Sequence, residues 1–445
     1  MDSRYYMLSF SMSGVKNIKK EVRLDFYKKT VDKRFDPEQY RIKAIYGENG
    51  SGKTSLITAV EIFKRLLTER AFLSNPLNQK MLDGLLNKES NEIKFVCDFL
   101  VTSSNGTITM YSYSIELEKC GPENFEIAKE SLRCKNGAYY SSKYSTVYDC
   151  NHGKLVIPML ASSEAEQHAV QASANLLNLK PFAIHSAFAK AKVFGDSSES
   201  FDVRMHIIYL LLFAYHIHVS IESSDQSDIY SYLQSLDDSD MPKESAVDAL
   251  DRIISSAADS IGVSTKYVQK DKIDTYMENI HKMERFIKLF RNDLKSIDIE
   301  KKENGDIYEC SMLMNYGTYR VDTAFESTGI NKLIRYFSYL SAASRGDIVF
   351  IDEMDSNIND IYLCKLVEYF MKYGKGQLCF TTHNTSPMSV LKKNKNSIDF
   401  LANDNKIIPW RKNGNFAPDK LYKNGMIEYL PFNIEAEDFV GILGE

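Results

Sequence analysis

Residues Gly47-Glu48-Asn49-Gly50-Ser51-Gly52-Lys53-Thr54 constrain this chain more than any other segment. A short apolar run, Ile42 to Tyr46, precedes them with strand character, and an amphipathic stretch from about Thr54 to Leu67 follows with helical spacing. The glycines let successive backbone N–H groups turn inward around an anion, and the helix N-terminus adds the positive end of its dipole. A strand–turn–helix context of this kind is what the pattern G-x-x-x-x-G-K-[ST] requires to bind a nucleoside triphosphate. The candidate nucleotide contacts are Gly47, Glu48, Asn49, Gly50, Ser51, Gly52, Lys53, Thr54 and Ser55. Lys53 is expected to reach the β- and γ-phosphates and the Thr54 hydroxyl to ligand Mg²⁺, so ATP and Mg²⁺ are the expected ligands.

Far downstream, Ile348-Val349-Phe350-Ile351 runs into Asp352 and Glu353. Asp352 at a strand end is placed to hold Mg²⁺. Glu353 is placed to polarise the water that attacks the γ-phosphate. The next apolar run, Leu378 to Thr382, ends at His383-Asn384, and His383 at that strand tip is expected to face the γ-phosphate. Glu353 and His383 are therefore the candidate catalytic residues, with Thr54 and Asp352 as the metal ligands.

The order of these features resembles the ABC-class ATPases of the RecF, Rad50, SMC and OLD branch. That order is an N-terminal hairpin, GENGSGKTS, a large insertion, a signature segment, IVFIDE, then TTHN. The resemblance implies an α/β P-loop ATPase head with an antiparallel N-terminal β region and an inserted helical lobe. It also implies that the signature segment of one protomer caps the ATP of another. Phe325-Glu326-Ser327-Thr328-Gly329 is the best match, with Ser327 and Gly329 as the expected contacts and Thr328 standing where the family has its first glycine. Asp355 falls at the position of the dimer-contacting loop, and Gln79 is a weak candidate for the family's glutamine loop.

Four segments are expected. The head occupies 1–155 and 305–395, a helical insertion 156–304, and an extension 396–445. Within the insertion, Ile273, Tyr276, Ile280, Met283, Ile287, Phe290, Leu294 and Ile297 recur at spacings of three and four, which predicts a short coiled-coil seam. Whether its partner helix is in the same chain or in a second protomer stays open. Acidic residues crowd 221–251, the pattern of a solvated linker.

A chain of 445 residues with 44% hydrophobic and 26% charged content buries a substantial core, which excludes collagen-like, mucin-like and wholly disordered classes. The net charge of -5 argues against a dedicated, sequence-independent DNA binder. DNA contact would fall to local basic spots such as Lys392-Lys393-Asn394-Lys395 and Arg411-Lys412. Seven cysteines without a C-x-x-C pair give no recognisable zinc module and argue against a disulfide scaffold. The start has no apolar signal-like run, and the longest apolar run, Ile207 to Tyr215, is too short to cross a bilayer. A cytoplasmic protein without a membrane partner is expected.

The size, the expectation that the 62 residues after His383 hold no nuclease, and the ending Leu421 to Pro431 resemble the ATPase components of bacterial anti-phage systems of the PARIS kind, and less closely the Septu kind. That resemblance implies self-association, a separately encoded effector nuclease and a phage-encoded trigger. A RecF-like clamp that grips DNA directly is the alternative. A metabolic P-loop kinase fits less well, since it leaves the signature segment and His383 without a role.

Overall fold

The computed structural model describes residues 4–27, 31, 35–103, 106–137, 141–160, 169–170, 176–188, 198–221, 266–394, 396–410 and 417–427. The acidic residues of 222–251, Lys395, Arg411, Lys412 and residues 428–445 lie outside them. In chain order the strands are β1 (Arg4–Ser13), β2 (Val22–Asp25), β3 (Ile42–Tyr46), β4 (Glu92–Thr102), β5 (Ile108–Gly121), β6 (Asn124–Asn136), β7 (Ser145–Asn151), β8 (Lys154–Val156) and β9 (Ile217–Ser220). They continue as β10 (Lys266–Gln269), β11 (Ser296–Asn304), β12 (Ile307–Asn315), β13 (Arg320–Asp322), β14 (Ile348–Ile351), β15 (Gln377–Thr381), β16 (Ile398–Leu401) and β17 (Ile407–Pro409). The helices are α1 (Lys53–Thr68), α2 (Pro76–Leu85), α3 (Phe182–Phe188), α4 (Ser198–Tyr215), α5 (Ile273–Lys288), α6 (Thr328–Arg345), α7 (Asp360–Tyr373), α8 (Met388–Leu391) and α9 (Pro418–Lys423).

Among the described residues, one sheet has the spatial order β17-β16-β3-β15-β14-β9, parallel except for β17. Strands β3, β14, β15 and β16 are buried at every position. Such continuously buried strands belong to a parallel sheet covered on both faces. Ile45, Phe350, Cys379 and Leu401 join one core with α1, α4 and the large antiparallel sheet. Alternate positions Ala44, Tyr46, Val349, Ile351 and Phe380 join a second core with α5, α6 and α7. The chain is thus a mixed α/β protein.

The antiparallel sheet runs β2-β1-β4-β5-β6-β7-β8 and contains the expected N-terminal hairpin. It is tied to α4 by stacked rings, Phe99 on Phe213 at 4.0 Å and on Tyr111 at 4.9 Å. The buried Gln377 amide bridges it to the parallel sheet. Its Nε2 donates to Met7 O at 2.9 Å and its Oε1 accepts from Met7 N at 2.6 Å, where the β1–β4 register slips.

Two expectations are corrected. The seam over 273–297 is not one helix: α5 ends at Lys288, and Leu294 and Ile297 belong to the turn and to β11. Tyr276, Ile280, Met283 and Ile287 instead pack in the same chain's core with Cys310, Met312, Ile330 and Ile334. The three-and-four spacing persisted because a helix face and the inward face of the next strand serve one core. Nor does the expected boundary at 305 separate domains. It falls in the turn of the β11–β12 hairpin, where Gly305 has φ 59°, and β10 and β11 both pair with β12. The expected helical insertion also supplies β9, the edge strand beside β14.

At the N-terminal end of β14, Asp347 Oδ1 lies 2.6 Å from His216 Nδ1, and Oδ2 lies 3.0 Å from His218 Nε2. Burial would raise the Asp347 carboxyl, but the two imidazoles outweigh it and hold it well below the usual carboxylate range. Burial pushes the His218 imidazole down, against the pull of Asp347. With His218 depressed, the unfolded chain takes up that proton first, so stability should fall as pH drops below about 6.5. The depressed Asp347 adds a second loss below about pH 4. A melting-temperature scan from pH 7.5 to 3 should show both declines, with the second shallower in Asp347→Asn. A flat profile between pH 7 and 5 would contradict the reading of His218.

Candidate functional site

The parallel order brings the carboxyl ends of β3, β15 and β14 side by side, and the functional residues sit in the turns that leave them. Crevices at the carboxyl ends of such strands are where open α/β sheets bind ligands. Residues 47–52 leave β3 and turn into α1, with Gly50 at φ 81° and Gly52 at φ 106° as the left-handed residue that starts the helix. The backbone of Leu401 packs so closely that a Cβ on Gly47 would lie 2.5 Å from its carbonyl oxygen. Lys53 Nζ is buried and donates to Gly47 O at 2.8 Å and Glu48 O at 3.0 Å. Burial lowers the Lys53 ammonium, while Asp352, Glu353 and Asp355 oppose that shift. The cation is therefore pre-positioned inside the loop, in electrostatic reach of all three acids.

Asp352 is buried at the end of β14, and its Oδ1 accepts from Thr381 Oγ1 at 2.6 Å. The same hydroxyl oxygen accepts from Glu353 N at 2.8 Å, so one threonine at the end of β15 fixes both acids. Glu353 adopts a left-handed φ of 45°, unusual for a side chain with a Cβ. Its carbonyl is held by Lys332 Nζ of α6 at 3.0 Å. His383 follows β15 with an exposed ring. Partial burial and Lys53 lower its imidazole, against the pull of Asp355, Glu353 and Asp352, so the ring is neutral at neutral pH. Asn384 and Ser386 pin this turn to Asp360 at the start of α7, at 2.6 and 2.9 Å.

Lys53, Asp352, Glu353, Asp355 and His383 are therefore brought together, as the sequence led one to expect. Two expected residues, Ser55 and Gln79, are not. Ser55 Oγ donates to Asn17 Oδ1 at 2.8 Å, so it faces the N-terminal hairpin and not a phosphate. Gln79 spends its amide on the backbone of Leu73 and Phe125, which rules it out as a mobile glutamine loop. Ser327 caps α6, its Oγ accepting from Ile330 N at 3.4 Å, and Gly329 lies against the Asn357 carbonyl. Among the described residues no hydrogen bond or ion pair links this segment to residues 47–55.

Several contributors escaped the sequence reading. Asn17 Nδ2 donates to Gly50 O at 2.6 Å, bracing the loop from the hairpin turn. Its neighbour Lys16 has φ 50° and a carbonyl held by Asn87 at 2.7 Å. Burial lowers the Lys16 ammonium, and Asp352 opposes that shift. From the other side Asn403 Nδ2 donates to Glu48 Oε2 at 2.6 Å. None of these lies in a contiguous motif.

The residues fit a magnesium nucleotide. The glycine turns leave room at Gly50, where an added Cβ would meet nothing within 4 Å. The Thr54 hydroxyl and the Asp352 carboxylate would hold the metal, which when bound would draw negative charge from the β- and γ-phosphates. Among the described residues there is no group of three or more His, Cys, Asp or Glu side chains suited to a metal, and no helix long and apolar enough to cross a membrane.

No protein-family model matches the chain, and no curated protein matches it. Among solved structures it is similar to the recombination mediator protein RecF with ATP, from the RecFOR pathway. That likeness has 14% identity and a TM-score of 0.38, covering 92% of this chain and 98% of the other.

Proposed function

We propose that this chain is an ABC-type ATPase whose ATP site is completed by a second copy, and that it is the switch subunit of a bacterial anti-phage complex. The observation that carries the ATPase reading is the convergence of Lys53, Asp352, Glu353 and His383 at the carboxyl ends of three adjacent strands, β3, β15 and β14. Lys53 and the loop amides bind the triphosphate. Glu353 takes a proton from the attacking water, and neutral His383 donates a hydrogen bond to the γ-phosphate as charge develops there.

Support for a composite site comes from Ser327, exposed at the N-terminus of an 18-residue helix yet unlinked to its own chain's loop. The Ser327 end of one protomer would cap the γ-phosphate held by the other. Closing the pair on ATP and releasing it on hydrolysis gives a two-state switch, which controls a separately encoded effector nuclease and responds to a phage-encoded trigger. The defence role rests on the sequence resemblance.

The test has two parts. Specific ATPase activity should rise with protein concentration, and Ser327→Arg should abolish turnover while leaving nucleotide binding within about threefold. Turnover independent of concentration would return the site to one chain. Purification with the neighbouring operon products, with and without ATP, should yield a stoichiometric second protein. A lone dimer that shifts DNA only with ATP, and loses it steeply with salt, would replace the defence role with a DNA clamp.

A further inference from the structure

The C-terminal segment encloses the entry of the phosphate loop. Its hairpin places the Leu401 carbonyl oxygen 2.5 Å from where a Cβ on Gly47 would lie. Asn403 Nδ2 holds Glu48 Oε2 at 2.6 Å, and Asn405, at φ 65°, donates from Nδ2 to Asn17 O at 3.3 Å. The helix α9 then returns to the same spot. Tyr422 is buried between Phe400, with rings stacked at 5.4 Å, and Tyr46, at 6.0 Å. Its hydroxyl oxygen accepts from the Gly47 backbone N–H, and Glu48 is near enough to act on it electrostatically.

The polar contacts fall on Gly47, Glu48 and Asn17, the residues that set the loop's entry and its outer brace. Lys53 in turn holds the carbonyls of the same two loop residues, Gly47 and Glu48. Gly47 is thus gripped from both sides, its N–H by Tyr422 and its carbonyl by Lys53. Such an arrangement links the two partners thermodynamically, since whatever orders the loop favours docking of α9, and docking favours the ordered loop.

We infer that α9 and the β16–β17 hairpin form a docking clamp on the phosphate loop, with Tyr422 as a positioning residue, so that nucleotide occupancy and attachment of the C-terminal segment control one another. The inference rests on the nucleotide-binding reading of the loop and adds its regulation: a partner that pulls α9 away would release nucleotide.

Full-length wild type, Tyr422→Phe and Asn403→Ala would be compared for affinity toward a fluorescent ADP with Mg²⁺. Hydrogen exchange of residues 417–427 would be followed with and without ADP. Tyr422→Phe keeps both ring contacts and removes only the hydroxyl, so it should fold. Affinity is expected to fall about tenfold in each variant, with the nucleotide-free melting temperature nearly unchanged, and ADP should slow exchange of 417–427 in the wild type only. A purely packing role would instead lower the nucleotide-free melting temperature and leave affinity alone, and that result overturns the clamp. So does wild type that binds ADP with no change in exchange at 417–427. If wild type binds no nucleotide at all, the reading of the loop falls and the clamp with it.

Discussion

Glu353→Gln should cut ATP turnover by about 10²- to 10⁴-fold while ATP binding is kept, the range that removing a positioned general base typically costs. The substitution tests chemistry and not architecture, because backbone contacts hold this residue. Its N–H goes to Thr381 Oγ1 at 2.8 Å, its carbonyl accepts from Lys332 Nζ at 3.0 Å, and the following N–H, of Met354, goes to Thr381 O at 3.0 Å. The left-handed φ of 45° is imposed by those three anchors. Glutamine therefore inherits the same direction and nearly the same volume, and loses only the carboxylate's basicity. Asp352→Asn should behave differently, because it disturbs the Thr381 bond and the expected Mg²⁺ ligand together, so nucleotide affinity should fall as well. With ATP, Glu353→Gln should also accumulate as a larger species in sedimentation, since closure no longer ends in hydrolysis. Normal turnover in Glu353→Gln would move the base to another residue, with His383 the first to examine.

What the sequence disclosed about this site was whatever is contiguous. The phosphate loop, the apolar run into Asp352-Glu353 and the run into His383 each announce a strand and its exit turn within about ten residues. Burial on both faces made β14 wholly apolar and β3 and β15 predominantly so, and their place in a parallel sheet was legible too. The support around the loop was not. Asn17, Asn403, Asn405 and Tyr422 reach it across turns and hairpins, and an asparagine in a turn looks the same whether it braces a phosphate loop or faces solvent. Strand β9 was hidden for another reason: Ile217-His218-Val219-Ser220 is four residues long and follows directly on an apolar helix. The seam over 273–297 failed because periodicity reports a buried face without reporting where the helix stops. Here the stop is a turn in which Arg291 pairs with Asp293, and Glu284 of α5 already accepts from the N–H of Ile297 in β11.

The largest stability effect is expected at a pair the chemistry never uses. Lys43 Nζ lies 2.7 Å from Asp399 Oδ2, and each side chain is about 1% exposed. They sit on adjacent parallel strands, β3 and β16, and on the face that packs toward the antiparallel sheet. Lys43→Met should destabilise the fold by about 3–5 kcal/mol, because it removes the paired ammonium from a carboxylate that is about 1% exposed. Asp399→Leu should cost a similar amount for the opposite charge. The double variant Lys43→Met/Asp399→Leu should recover most of the loss, since an ion pair replaced by apolar groups of similar volume is often neutral or stabilising. Denaturant unfolding of the four proteins gives the coupling energy directly. The same strands explain why a costly pair would be kept here. β3 leads into the phosphate loop and β16 into the hairpin bearing Asn403, so the pair fixes the register between the two sides that grip Glu48. If that is its role, the double variant should melt near the wild-type temperature yet bind ADP more weakly. Equal affinity would leave the pair as a constraint on folding alone.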